Sequence, residues 1–379
     1  MTHITIGITV LIARYLGEKR EDQIGSIIGG GTVVFAAISL VLFVIMVGFA
    51  RPIAVLMQAP EEAVGLTVAY IRICGAGIFF IVAYNVLSAI FRGLGDSNSP
   101  LLFVFVACIV NVVGDLVLVA GLGMDAMGAA LATVFAQALS VVFAIVRLVK
   151  KGLPFTITGY DFRWNPQCGK FLQIGLPLAL QECLTQGSFL ALCAFVNRLG
   201  LEASSGYGVA CKIVNFAMLI PSALMQSTSS FVSQNVGAGE QKRAKKTMFT
   251  GIGIGPLVGC FAFSLVFFRG DLLAGIFSAD AAVVQRGYEY LKGFAPETLL
   301  TAVLFSMMGY FNGNGKTVWV MLQGLIQTLL VRLPFAYYMS IQPDASLTNI
   351  GLAAPISTAV GIVLNVAFFL YLEHAAKRS

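Results

Sequence analysis

The sequence predicts an all-α polytopic membrane protein made of two pseudo-symmetric lobes. Three observations carry that expectation. Hydrophobic residues make up 58% of the 379-residue chain and charged residues 11%, with a mean hydropathy of +0.87. A soluble domain carries roughly 25% charged residues to cover its surface, so most of this surface must face lipid. The apolar residues also fall into stretches of the length that crosses a bilayer, about 20 residues each. Finally, short glycine-containing segments recur at a spacing of 220 residues.

Ten complete spans are expected, at 27–49, 63–91, 101–122, 126–146, 171–197, 206–233, 247–268, 284–312, 318–341 and 349–372. An eleventh stretch, Ile4 to Ala13, is half long enough and ends in the polar run Arg14 to Lys19. The connections that follow alternate spans, beginning after this half span, hold sixteen of the 24 Lys and Arg, whereas the opposite loops hold Arg51, Arg198, Arg269 and Arg286. The positive-inside rule then puts the basic set and the C-terminus in the cytoplasm of a multi-pass plasma-membrane protein.

Several function classes drop out. The net charge of +6 sits in short loops between spans, so nucleic acid is not expected as a partner. The seven cysteines form no C-x-x-C pair and read as small packing residues. His3 and His374 stand near the chain ends, which leaves no imidazole chemistry in the spans. Gly313-Asn314-Gly315-Lys316-Thr317 ends like a phosphate-binding loop, but Tyr310 stands where the motif needs its first glycine and an apolar span precedes it. No ATP hydrolysis, cofactor or enzyme activity is expected. Gly251-Ile252-Gly253-Ile254-Gly255 reads as close helix packing.

Phe91-Arg92-Gly93-Leu94-Gly95 matches Phe311-Asn312-Gly313-Asn314-Gly315, and Gly17 matches Gly237 at the same offset. Gly128-Ala129-Ala130 resembles Gly351-Leu352-Ala353, three residues out of step. Repeats with an even number of spans keep one orientation and give two lobes related by an axis along the membrane normal. The expected domains are 1–155, a first lobe of four and a half spans; 156–170, a cytoplasmic link; and 171–379, a second lobe of six spans. By the repeat offset about 50 residues of a first lobe are expected before Met1, so the chain reads as N-terminally short of a twelve-span protein. The segment 150–170, with Pro154, Trp164 and Pro166, would suit two lobes moving against each other.

Ionisable groups inside a span are costly and mark function by default. Asp115 follows Asn111 by four residues, on one helix face. Thr133 is as far beyond Met124, at the hairpin turn, as Asp115 is before it, so the two share a depth. Carboxylate, amide and hydroxyl oxygens suit a hard cation, a desolvated carboxylate could instead exchange a proton, and a polar cluster tying the hairpin together is the structural alternative. Glu182, beside Gln181, lies near mid-span and could meet a cationic substrate or bond a neighbouring helix. Glu297 and Arg332 lie on consecutive spans and are expected to pair, each otherwise being buried alone. Asn85 and Asn215, like Gln226, Gln234 and Asn235, are cavity or helix-bonding candidates. Arg72, Lys212 and Lys292 lie near outer span ends and can snorkel.

Taken together, several motifs in order along nearly the whole chain resemble the multidrug and toxic compound extrusion (MATE) family, prokaryotic branch. They are Ala13 to Lys19, Phe91 to Asp96 with Pro100, Asn111-x-x-x-Asp115, Gly128 to Thr133, Gly175-Leu176-Pro177, Gln234 to Gly239, and Arg332-Leu333-Pro334. The resemblance implies twelve helices in two six-helix lobes around a central cavity. It implies a monomeric antiporter that exports amphipathic, often cationic organic compounds in exchange for Na+ or H+. It also implies a first-lobe cation site to which Asn111, Asp115 and Thr133 correspond, with Tyr70 on the preceding span nearby. The first-span aspartate of that site has no counterpart here, and the second-lobe glutamate of some relatives would fall nearer Thr185 than Glu182. The chain as it stands is accordingly expected to transport poorly. The alternatives are a lipid-linked oligosaccharide flippase of the same wider superfamily, or a non-functional truncated transporter. A flippase would favour a strongly cationic cavity, against the mixed deep charges found here. A membrane-embedded lipid enzyme would need a His, Asp or Cys cluster at a span end, and a channel would need a filter sequence; neither is visible.

Overall fold

The computed structural model describes residues 2–56, 61–151 and 158–377, and its regular elements are all helical. The chain forms two compact units, Met1–Gly175 and Leu176–Ser379. Among the described residues eight helices are long and apolar enough to cross a bilayer, or ten if each of two bent pairs counts as one span. These correspond one for one to the ten expected stretches. Helices satisfy their own backbone hydrogen bonds, the condition for standing in hydrocarbon.

The first unit contains α1 (Thr2–Gly17), α2 (Asp22–Gly48), α3 (Ala50–Leu56), α4 (Glu61–Ala76), α5 (Ile78–Gly93), α6 (Asn98–Asp115) continued by a π-helical segment at Leu116–Gly121, and α7 (Asp125–Lys151). Although short, α1 is a core element: Ile8 and Ile12 are buried and Thr9 donates to the Ala89 carbonyl at 3.0 Å. The helix α8 (Pro166–Asn197), with Pro177 inside it, leads into the second unit. There follow α9 (Leu201–Ala217), α10 (Leu219–Gly237), α11 (Gln241–Gly275), α12 (Ala281–Phe294), α13 (Glu297–Gly313), and α14 (Thr317–Leu325) with a π segment at Ile326–Arg332. The chain ends with α15 (Leu333–Ser340), α16 (Leu347–Gly351) and α17 (Ala353–Ala376).

The repeat is written into the backbone. Helix α5 ends with Asp96 N–H bonded to the Phe91 carbonyl and Gly95 N–H to Arg92; α13 ends with Lys316 N–H on Phe311 and Gly315 N–H on Asn312. These are the paired bonds of a Schellman cap, which needs a left-handed residue. Gly95 at φ 79° and Gly315 at φ 75° supply it. The ends of α1 and α10 repeat the pattern at Lys19 (φ 57°) and Gly239 (φ 76°). The phosphate-loop look-alike is therefore a helix cap. The third-from-last span of each unit bends by 48°. Gly77 breaks the first, where Val134 leaves no room for a side chain, and Ala295-Pro296 breaks the second. Close packing is observed at two of the three expected α11 glycines: a Cβ at Gly251 or Gly255 would lie 2.8 Å from Ser306 or Ala302 of α13, whereas Gly253 has open space around it.

Residues 158–170 of the expected link are fastened to the first unit. Ser26 Oγ donates to Asp161 at 2.8 Å, Asn165 donates to the Ser26 carbonyl at 2.8 Å, and Tyr15 donates to Gln167 at 3.0 Å. Lys170 in turn donates to the Tyr15 hydroxyl. Pro154, the expected boundary at 155/156 and Arg378 lie outside the described residues.

Candidate cation site

In the first unit α6 and α7 pack as an antiparallel hairpin whose register is set by side-chain bonds. Ser140 donates to the Phe103 carbonyl at 2.8 Å and Arg147 Nε to Ser99 Oγ at 2.8 Å. Further along, Gly114 lets the helices close up; a Cβ there would stand 2.8 Å from that of Ala132. That contact brings Asn111 and Thr133 together, the amide Nδ2 donating to Thr133 Oγ1 at 3.3 Å. The Thr133 hydroxyl in turn donates to the Ala129 carbonyl at 2.9 Å. With its Nδ2 so used, Asn111 keeps its carbonyl oxygen for another ligand.

Asp115 is half-buried one turn further along α6, and its Oδ1 is fully enclosed with no hydrogen-bond partner. An enclosed carboxylate oxygen left unpaired carries the full desolvation cost of its charge. The π segment Leu116–Gly121 begins directly after it; such bulges loosen the backbone ladder and recur at functional sites. Tyr70 of α4, 40% exposed, hydrogen-bonds Cys74 and stands within electrostatic reach of Asp115. The arrangement offers one acid with amide and hydroxyl oxygens beside it, a donor set that fits a small hard cation or a proton. Among the described residues no three His, Cys, Asp or Glu side chains gather as a multivalent metal site would require.

The second unit buries a different cluster. Glu297, opening α13, and Arg332, ending the second π segment, are 4% and 7% exposed and face each other with N···O 4.0 Å. Thr358 donates to Glu297 Oε1 at 2.8 Å, Gln327 donates to Thr358 at 3.0 Å, and Gln323 donates to Gln327 at 2.6 Å. The Arg332 guanidinium also lies 5.1 Å from the Phe189 ring centre. Sequence reasoning found the two charges but missed Gln323, Gln327 and Thr358. The i, i+4 glutamines in an apolar span were the available signal.

The other candidates have neighbours within their own units. Glu182 is half-buried and accepts from Gln186 at 2.7 Å, while Gln181 packs against Gly324, where no side chain would fit. Asn85 donates to Ile81 of its own helix at 2.8 Å, and Asn215 is exposed on α9. Lys212 and Lys292 lie over the Phe277 and Tyr288 rings at 5.4 and 4.3 Å.

A family model described as MatE matches residues 1–117 and 177–338. Among curated proteins, the "Probable multidrug resistance protein YpnP" of Bacillus subtilis (strain 168) is 27% identical over 286 residues, covering 75% of this chain. The chain spans 64% of that relative's length. The "Multidrug export protein MepA" of Staphylococcus aureus (strain NCTC 8325 / PS 47) is 26% identical over 333 residues, covering 85% of this chain and 72% of the relative. Among solved structures, a multidrug resistance MATE family transporter of the MOP superfamily in its outward-facing conformation superposes with a TM-score of 0.94. It is 20% identical and covers 100% of this chain and 85% of its own.

Proposed function

The chain belongs to the MatE family, whose members are membrane transporters rather than enzymes, and from that premise we propose that it is a cation-coupled antiporter. It exports amphipathic organic compounds, cationic drugs among them, across the plasma membrane by alternating access, with Na+ or H+ as the coupling ion. The C-terminus lies in the cytoplasm and the protein acts as a monomer. The export of drugs is carried over from the names of relatives such as MepA. The cation role rests on one observation, the enclosed Asp115 Oδ1 without a partner beside Asn111 and Thr133.

Asp115 works as the coupling group in this reading. With the ion bound its charge is neutralised; with the ion gone, a bare carboxylate in a low-dielectric site is unfavourable. Ion occupancy therefore biases the conformational equilibrium by its differential affinity for the two states. Asn111, Thr133 and Tyr70 complete or orient the ligand set, while Glu182, Gln181, Asn85, Asn215 and the Glu297–Arg332 pair are candidates for the substrate path.

Dye efflux from cells expressing the full-length protein tests this. Wild type should lower cell fluorescence under an imposed Na+ or H+ gradient, and Asp115→Asn should lose at least about tenfold of the rate, which is 1.4 kcal/mol of coupling. Undiminished gradient-dependent efflux by Asp115→Asn would remove the acid from the mechanism.

A further inference from the structure

A groove of about 500 Å³ opens between α10 and α11, and its lining shares no residue with the Glu297 cluster. Its lining is sorted by polarity along its length. Asn235, Arg243, Lys246, Thr247 and Thr250 form one end, towards the polar turn joining the helices, and Leu224, Phe231 and Ile254, with the uncharged Ser227, Thr228 and Gly251 among them, form the other. The eleven helical steps from Arg243 to Ile254 rise about 17 Å at 1.5 Å each, so the groove descends from the headgroup level well into hydrocarbon.

The charges at its rim are unbalanced. The first turns of α11 carry Lys242, Arg243, Lys245 and Lys246, against the single acid Glu240 at its N-cap. Lys245 points to the far side of α11 and pairs with Glu373 of α17. Arg243 and Lys246 instead line the groove, three residues apart on one helix face, and among the described residues neither side chain has an ion-pair partner. The groove lining contains no acid. Thr247 and Thr250, beside them, donate to the Arg243 and Lys246 carbonyls of their own helix, which leaves their hydroxyl oxygens able to accept and the rim cations unneutralised. Phe231 and Ile254 are 55% and 54% exposed below this rim.

We propose that this groove binds an anionic phospholipid, its phosphate between Arg243 and Lys246 and an acyl chain along Phe231 and Ile254. Two basic side chains over an apolar slot complement a phosphate joined to a hydrocarbon tail. Basic pockets between spans on the cytoplasmic side take anionic headgroups in this way. Zwitterionic lipids lack the net charge, and a soluble phosphate would leave the apolar half of the groove empty.

The test is a titration of the delipidated, detergent-purified protein with phosphatidylglycerol or phosphatidylcholine, read by native mass spectrometry. Wild type should retain phosphatidylglycerol over phosphatidylcholine by about tenfold or more, the scale set by two basic groups near the headgroup. The double variant Arg243→Gln/Lys246→Gln should lose that preference, and Lys242→Gln/Lys316→Gln, which removes the same charge outside the groove, should keep it. Ile254→Trp, which fills the apolar end with the basic rim intact, should lower phosphatidylglycerol occupancy several-fold. Equal loss in both double variants, or no preference in wild type, overturns the proposal. So does displacement of the lipid by equimolar glycerol 1-phosphate, which would assign the rim to a soluble anion.

Discussion

Asp115 in the first unit and Glu297 in the second both sit in helical spans, and they differ in the charge beside them. Glu297 Oε1 has partners, the Arg332 guanidinium at 4.0 Å and the Thr358 hydroxyl at 2.8 Å with a glutamine relay behind it, while its Oε2 is, like Asp115 Oδ1, enclosed without a hydrogen bond. Asp115 keeps an enclosed oxygen with no partner, although amide and hydroxyl groups stand one turn away. Both units place a π segment in the corresponding span, at Leu116–Gly121 and Ile326–Arg332. One carboxylate thus has a buried guanidinium beside it, and in the proposed reading the other takes its counter-charge from an external ion. A duplicated fold can keep its backbone and assign its two buried acids different work.

The largest effect expected is on stability, and it separates the two. Glu297→Gln leaves Arg332 buried without its counter-charge, a loss of about 3–5 kcal/mol for a broken internal pair. Thermal unfolding in detergent should show it as a marked fall in midpoint, and Glu297→Gln/Arg332→Met should recover most of the loss. Asp115→Asn should instead leave the midpoint unchanged or raise it by about 1 kcal/mol, because an unsatisfied charged oxygen is replaced by a neutral one. A fall as large as that for Glu297→Gln would mean that Asp115 is held in a structural pair after all.

A smaller effect sharpens the first-unit half of the comparison. Thr133→Val removes one oxygen and the acceptor of the Asn111 bond, worth about 1 kcal/mol. The ion concentration giving half-maximal efflux should rise about fivefold at this energy, with the maximal rate preserved. Smaller still is the effect expected at the link. The Thr158 backbone N–H and the Ser26 hydroxyl donate to Asp161 and hold its carboxyl below the usual carboxylate range. Because the folded value is depressed, the anchoring of the link is complete above about pH 4, the ordinary carboxylate value, and fades as pH falls through the depressed one. Hydrogen exchange at the Thr158 amide, corrected for its intrinsic rate, should show less protection at pH 3 than at pH 6, and Asp161→Asn should remove the difference.

The spans and caps were legible because each follows from local rules. A bilayer demands long apolar stretches, and the glycines at 95 and 315 sit where helix ends need a left-handed residue. That Asn111, Asp115 and Thr133 lie in one stretch of the hairpin was legible too, since Asp115 and Thr133 are equally far from Met124, although the bond to Thr133 comes from Asn111, one turn before Asp115. Less was readable where long-range packing decides. The π segments insert residues without any compositional mark, and the bond between Ser26 and Asp161 joins residues 135 apart. Gln323, Gln327 and Thr358 each look like an isolated polar residue until α14, the second π segment and α17 stand together. Lys19 takes a left-handed conformation that its side chain does not advertise; only its match to Gly239 in the repeat does.

The most direct measurement is ion release from purified protein on addition of a transported dye, followed by a Na+-selective or pH electrode. Wild type and, under conditions where it stays folded, Glu297→Gln/Arg332→Met should both release ion when dye binds, and Asp115→Asn should release none. Release that persists in Asp115→Asn and disappears in the double variant would move the coupling site to the second unit and contradict the assignment.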